Sequence, residues 1–326
     1  MKNVNGVLCP CSSGKFEHHC CAIKDYAADY EDLEAYLNAR SHNSIDDLQR
    51  SADEFMKGKN NVPLQEFCGF SASQMGYLLY EPFTSDSTIV FNESISPPMN
   101  SPVMIALTEL IEGIPTDGVK ATTKGNLPMA ICRPVAAKLL EQTPERGRYR
   151  YEKFRNEEDL MPLLLVRLLL GIGGYLKKTK GRFNWTKKGR DFIGHSAGHC
   201  YLELFKLAAS RFNWGYFDGY PDVPIIQQGF AYTLFLVQSY GDYPKPESFY
   251  TQLFLEAFPM GLMEIDDSDH REANARFESC YTVRSFDRFM EYFGLIESQL
   301  IPAEMGKTVA LRKTHDLDGL VRFCIT

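Results

Sequence analysis

The sequence lacks any apolar run long enough to cross a membrane. A spanning helix needs about 20 apolar residues, and the longest apolar run, 160–172, is interrupted by Pro162 and Arg167. No apolar segment of the signal-peptide kind precedes the first cysteine, Cys9. These two absences predict a cytoplasmic protein without a membrane span.

The common catalytic and nucleotide-binding motifs are missing as well. The chain contains neither the phosphate-binding pattern G-x-x-x-x-G-K-[ST] nor the nucleophile pattern G-x-S-x-G. We therefore expect a protein that is not an enzyme. The alternative is an unrecognised site near His195 and His199, whose i, i+4 spacing suits a metal pair and beside which Cys200 could supply a third ligand.

What is present is an ordinary folded composition with unusually placed cysteines. The 326 residues are 44% hydrophobic and 24% charged, with a formal net charge of −7. Four of the nine cysteines fall within thirteen residues: Cys9, Cys11, Cys20 and Cys21. Clustered thiols in a reducing compartment are metal ligands, and four of them form the ligand set of a structural zinc. We predict Zn²⁺ as the cofactor, with His18 or His19 as an alternative to one cysteine.

The cysteine segment resembles the SEC-C motif, the zinc knuckle of the protein-translocation ATPase SecA. The shared pattern is C-P-C-x-S-G, five residues, then C-C. Three further stretches, 69–83, 123–128 and 176–189, resemble the body of uncharacterised bacterial proteins that contain this motif. The resemblance implies that Cys9, Cys11, Cys20 and Cys21 ligate the metal, and it implies no enzymatic activity.

The pattern along the chain predicts an α+β fold that is mostly α. We predict an N-terminal zinc knuckle (1–25), a helical segment with a linker (26–100), a winged-helix-like basic module (101–195) and a helical domain that ends in a second winged-helix-like unit (196–326). Aromatic-rich helices over 199–212, 225–240 and 248–258 are predicted to form the core. Segments 102–128 and 160–193 share an apolar helix, a short strand and a Thr-Lys-Gly turn. We interpret them as a weak internal repeat, with a third, similar segment late in the chain.

Positive charge is concentrated in the middle of the chain. Residues 118–190 hold 17 Lys or Arg against 6 Asp or Glu, an excess of 11 positive charges, which leaves −18 for the remainder. A predicted hairpin and the turn after it supply the candidate nucleic-acid contacts. These are Lys177, Lys178, Lys180, Arg182, Trp185, Lys187, Lys188 and Arg190. Two other interpretations stay open: Trp185 packs inward on an ordinary polar hairpin, or the cations pair with acidic groups of this chain or of a protein partner.

The sequence therefore predicts a zinc-binding, cytoplasmic interaction protein with an unidentified protein partner. Nucleic acid is the second candidate partner, through the basic hairpin. A DNA-binding transcriptional regulator is the first alternative function, and an enzyme with its site near His195 and His199 is the second.

Overall fold

The structure is a computed structural model that describes residues 32–142, 154–216, 218–265, 270–303 and 306–324. Across these residues the chain forms fourteen α-helices and eight short strands, so the protein is a mixed α/β protein with small antiparallel sheets. The contacts divide it into two compact units. The smaller unit ends at Ile89 and also takes in the chain from Phe323, and the larger unit is Val90–Arg322. The module predicted at 101–195 falls within the larger unit, and so does the module predicted at 196–326 as far as Arg322. The division between them stays a prediction.

Helices dominate the described part of the smaller unit. They are α1 (Leu33–Asn38), α2 (Ile45–Asn60) and α3 (Ala72–Tyr80). Each begins after a side-chain cap, from Asp32, Ser44 and Ser71 respectively, because a short polar side chain can accept a hydrogen bond from the unpaired amides of the first turn. The first two helices pack through Tyr36 and Phe55, whose ring centroids lie 5.1 Å apart.

A two-stranded sheet joins distant parts of the sequence. Strands β1 (Ile89–Phe91) and β8 (Val321–Phe323) pair with each other. The sequence predicted a helical segment with a linker over 26–100 and did not predict this strand pair.

The first half of the larger unit builds a three-stranded sheet on three helices. Its elements are α4 (Pro102–Gly113), β2 (Val119–Lys120), α5 (Met129–Gln142), α6 (Met161–Ile172), β3 (Leu176–Thr179) and β4 (Arg182–Trp185). A short 3-10 turn, Glu157–Asp159, precedes α6. The antiparallel strands lie in the order β2-β4-β3, so the last strand is in the centre. We call this stretch the first repeat.

Three further helices lead to a second stretch with the same order of elements, apart from one additional short helix. The connecting helices are α7 (Lys187–Ile193), α8 (Ala197–Ser210) and α9 (Pro224–Gln228). The second repeat then contains α10 (Phe230–Tyr240), β5 (Lys245–Pro246), α11 (Glu247–Ala257), α12 (Gly261–Glu264), α13 (His270–Tyr281), β6 (Ile296–Ala303) and β7 (Gly306–Lys313). Its strands lie in the order β5-β7-β6, again with the last strand in the centre. A final helix, α14 (His315–Leu320), precedes β8.

The repeat in the structure differs from the repeat predicted from the sequence. Segments 102–128 and 160–193 are not copies of one another, because both contribute elements to the same three-stranded sheet. The duplicated arrangement is the whole of 102–185 followed by 230–313. In the second repeat α13 continues as a nine-residue π-helix, Thr282–Met290, which has no counterpart in α6.

Aromatic side chains form the core of the larger unit, as predicted. Phe205 on α8 contacts Phe289 and Phe293, with ring centroids 5.0 and 5.3 Å apart. Phe254 on α11 packs 4.6 Å from Tyr281. The helix predicted over 225–240 is interrupted at Gly229, which separates α9 from α10.

Candidate functional site

The predicted basic hairpin exists and ends in a tight two-residue turn. Lys180 and Gly181 form the turn with φ values of 50° and 71°. Two consecutive positive φ values define the type I′ turn, whose twist matches that of the flanking strands. The register pairs Lys177 with Asn184 and Thr179 with Arg182. We use the name cationic hairpin for β3, β4 and the first turn of α7, residues 176–190.

The two faces of the cationic hairpin differ in chemistry because side chains alternate along a strand. Phe183 and Trp185 point into the core, together with Leu176, and all three are buried. Lys177 lies on the opposite face and is exposed, as are Lys180 at the turn and Lys187 at the start of α7. The hairpin therefore has one apolar, packed face and one cationic, solvated face.

Trp185 was predicted to contact nucleic acid, and the structure contradicts this. Its side chain is only 7% exposed, so the indole ring offers no surface on which a base could stack. The open alternative, in which Trp185 packs inward, is the observed one. The even spacing of Phe183 and Trp185 carried that information, since residues i and i+2 of a strand lie on the same face.

Four of the predicted cations already hold parts of the protein together. Lys178 donates from Nζ to the carbonyl of Gly125 at 3.2 Å, and Lys188 donates to that of Gly173 at 2.8 Å. Arg190 donates to the carbonyl of Trp185 at 2.8 Å. Arg182 pairs with Asp117 at 3.1 Å and donates to the carbonyl of Gly118. These contacts fix the hairpin on its surroundings and take up donor capacity that a phosphate would otherwise use.

The other three predicted cations are Lys177, Lys180 and Lys187. All three are exposed, and within the described ranges their ammonium groups make no hydrogen bond or ion pair. Their positive charge is therefore available to an external anion. We use the name free lysine triad for these three residues.

A buried ion pair lies next to the apolar face of the hairpin. Glu157, in the 3-10 turn, is fully buried and pairs with Arg167 on α6. The same carboxylate accepts a hydrogen bond from the amide of Leu127 at 2.7 Å. The guanidinium of Arg167 lies 5.7 Å from the centroid of the Phe183 ring, on the apolar face of β4. The pair thus links α6, the segment before α5 and the hairpin.

The histidine pair does not develop into a three-ligand site. The rings of His195 and His199 approach to 4.4 Å between centroids, and both side chains are exposed. Cys200 is buried, donates its S–H to the carbonyl of Phe192, and has a pKa raised to about 11 by burial. Among the described residues no group of three or more His, Cys, Asp or Glu side chains is arranged to hold a metal ion.

The four clustered cysteines, Cys9, Cys11, Cys20 and Cys21, lie outside the described residues. Zinc ligation by them stays a prediction from the sequence and has no support from the part of the chain that the structure describes. Of the other five cysteines, Cys68, Cys132, Cys200 and Cys280 are buried, whereas Cys324 is exposed.

Comparison with known proteins gives one family match. A family model described as the Y4jL N-terminal domain matches residues 99–198, which include the first repeat and the cationic hairpin. No curated protein and no solved structure matches the chain. The predicted resemblance to SEC-C proteins is wrong, because the family that matches is a different one. The zinc-protein and SEC-C descriptions are therefore without support.

No helix in the described residues is long and apolar enough to span a membrane. This agrees with the interruption of the apolar run at Pro162 and Arg167, the run that becomes α6.

Proposed function

We propose that both repeats are winged-helix modules. A winged helix combines three helices with a three-stranded antiparallel sheet whose last two strands form the wing. The element order of 102–185 and of 230–313, with the final strand central in each sheet, supports this assignment. On this proposal the cationic hairpin is the wing of the first module, and β6–β7 is the wing of the second.

We further propose that the protein is a non-enzymatic, cytoplasmic interaction protein that binds the phosphate backbone of nucleic acid through the free lysine triad. The observation that carries this proposal is the solvated cationic face of the hairpin, where Lys177, Lys180 and Lys187 have no internal partner within the described ranges. Exposed ammonium groups release condensed counterions when they contact phosphates, and this release drives binding that does not depend on sequence.

The helices of the two repeats argue against sequence-specific contact with DNA bases. In a helix-turn-helix protein the second helix of the motif lies in the major groove and presents polar side chains to base edges. The helix in that position in the first repeat is α6, and seven of its twelve residues are buried, among them five leucines and one valine. The second repeat carries acidic residues immediately before and at the start of α13, including Asp266, Asp267, Asp269 and Glu272. A sequence-specific regulator is therefore the weaker candidate.

The test is a salt titration with a charge-matched control. Fluorescence anisotropy would follow a labelled duplex of about 20 base pairs in two unrelated sequences, at about 50 and 200 mM salt. The wild type should bind both sequences equally and lose affinity at the higher salt. Three phosphate contacts at a slope of about 0.9 each correspond to a loss of about 40-fold over this range.

The variant K177E/K180E/K187E should weaken binding at low salt by at least about ten-fold. The control K57E/R211E/K307E changes the net charge by the same amount at three exposed cations elsewhere on the chain, and it should leave binding nearly unchanged. Equal loss in both variants would mean that only net charge matters. Unchanged binding in the triad variant would refute the proposal.

A further inference from the structure

Helix α2 carries an apolar face that the protein covers only in part. Successive residues of an α-helix lie about 100° apart around its axis, so the apolar residues of α2 share one side of the helix. They are Ile45, Leu48, Ala52, Phe55 and Met56. Phe55 is buried and packs on Tyr36 of α1. Ile45, Met56 and Leu48 are 84%, 48% and 42% exposed, so they form the uncovered part of this face.

A strip of charged residues runs beside the uncovered apolar residues. Its four members are exposed and fall within about 60° of one another around the axis, on the neighbouring side of the helix. They are Asp46, Arg50, Asp53 and Lys57. The charges therefore alternate along the strip, which begins with an acid and ends with a base. Arg50 also pairs with Asp47 of its own helix, and its guanidinium has further N–H groups that a second acid could use.

This order of charges is complementary to its own reverse. In two antiparallel copies of α2, Asp46 of one copy faces Lys57 of the other, and Arg50 faces Asp53. Both pairs are centred on residues 51 and 52, so a single register forms them, and two-fold symmetry repeats each pair. An antiparallel two-fold also places the same flank of each helix side by side, as these pairs require. A parallel two-fold would bring opposite flanks together and separate the charges.

The apolar residues meet in the same register. Leu48 of one copy lies at the height of Phe55 of the other. Ile45 of one copy lies within about 3 Å, along the helix axis, of Met56 of the other. Self-association would therefore remove the two most exposed apolar side chains of this face from water in both copies, which favours binding.

We propose that α2 is a self-association surface, on which a second copy of this chain binds in antiparallel orientation. The uncovered apolar residues provide affinity, and the charged strip determines orientation and register. The helix has 16 residues and is about 24 Å long. A contact between two such helices is smaller than the roughly 1,200–2,000 Å² of a stable interface, so we expect a reversible dimer that dissociates at micromolar concentrations. The surface consists of α2 alone and does not depend on the free lysine triad.

Sedimentation equilibrium of the full-length protein between about 5 and 300 µM tests the proposal. The wild type should show a monomer–dimer equilibrium in this range. Ile45→Gln should weaken the dimer by at least about ten-fold, because the symmetric contact loses an apolar side chain twice. Since Ile45 is exposed in the monomer, thermal unfolding of this variant at about 1 µM should match the wild type. A wild type that stays monomeric at about 300 µM would overturn the proposal.

A charge exchange tests the orientation. Asp46→Lys and Lys57→Asp each place like charges opposite one another, and each should weaken the dimer by at least about five-fold. The double variant D46K/K57D restores both pairs and should dimerise as the wild type does. An equimolar mixture of the two single variants should associate more strongly than either alone, because one then carries bases at both positions and the other carries acids.

Glu54→Lys is the matched control for this exchange. It makes the same change of charge as Asp46→Lys on the opposite side of α2, and it should leave the dimer unchanged. Circular dichroism checks that each variant keeps its helix content. Dimerisation of the single variants that equals that of the wild type would contradict the proposal. A mixture that associates no better than its components would contradict it as well.

Discussion

Substitution of Glu157 by glutamine should strongly destabilise the larger unit. Glu157 is fully buried and Arg167 is 18% exposed, so the pair has little access to water. The glutamine side chain could still accept from the amide of Leu127, but its amide nitrogen would then face the guanidinium of Arg167. The substitution therefore leaves a largely buried cation without a counter-charge.

Removal of one partner from a buried ion pair costs about 3–5 kcal/mol. The structure favours the upper half of that range for Glu157→Gln, because the carboxylate also satisfies the Leu127 amide at 2.7 Å and because Leu127 is itself buried. Urea unfolding followed by circular dichroism, with an unchanged dependence on denaturant concentration, would measure the loss.

Two controls separate charge from packing. The double variant E157Q/R167M removes both charges and should recover at least half of the loss, since a buried pair replaced by apolar groups is often tolerated. Asp117→Asn breaks the solvated pair with Arg182 in the same unit, where Asp117 is 79% exposed, and should cost less than about 1 kcal/mol. A loss below about 1 kcal/mol for Glu157→Gln itself would refute the argument that this pair supports the hairpin.

Three further predictions concern single positions. Gly198→Ala should destabilise the folded protein by about 1–3 kcal/mol, because the new methyl group would overlap the carbonyl oxygen of Ile95. Gly58→Ala has open space in its helix and should stabilise the folded protein by up to about 1 kcal/mol. Urea unfolding measures both changes. Cys200→Ser should leave the fast phase of thiol labelling at about pH 8 unchanged, because burial raises the pKa of Cys200 to about 11 and keeps it protonated. Burial raises the pKa of Glu278, so the folded state favours its neutral form. The free energy of unfolding should therefore fall as the pH rises above the carboxyl's ordinary pKa of about 4.5, and Glu278→Gln should remove that loss. Equal pH profiles of unfolding for the wild type and the variant would refute this prediction.

Features that depend on neighbouring residues could be predicted from the sequence. Ser44 and Ser71 cap helices where the pattern indicates a helix start, since the cap and the amides it satisfies lie within three residues of each other. Thr186 caps α7 in the same way. The Lys180-Gly181 turn was predicted for a similar reason, because turn geometry is determined by the turn residues themselves.

Features that depend on distant residues could not be predicted. β1 finds its partner more than 200 residues later, in β8, and no local pattern specifies that pairing. β5 is two residues long and forms a strand only because β7 lies beside it. The repeat seen in the structure was hidden for the same reason. It lies in the order of strands within each sheet, whereas the segments matched in the sequence shared only an apolar helix, a short strand and a Thr-Lys-Gly turn.

The sequence predicted where the candidate site lies, but not which of its cations face water. Sequence reasoning identified the whole basic stretch without separating cations that bind the protein's own carbonyls, such as Lys178 and Lys188, from those that face water. That distinction depends on where Gly125 and Gly173 lie in three dimensions. It reduces seven candidate cations to the three of the free lysine triad.

The two repeats share an element order but offer different surfaces to a partner. In the first, seven of the twelve residues of α6 are buried, whereas the hairpin and the start of α7 carry exposed lysines. In the second, the corresponding hairpin is longer, carries exposed Leu300 and Lys307, and has Lys313 at its base paired with Asp242. An excess of positive charge in the first repeat and of negative charge in the rest of the chain would also let the triad meet acidic groups of this protein. Such pairing would compete with phosphate and would weaken with salt in the same way. The triad variant at low salt distinguishes the two cases: loss of nucleic-acid binding supports contact with phosphate, whereas unchanged binding would show that the lysines do not contact it.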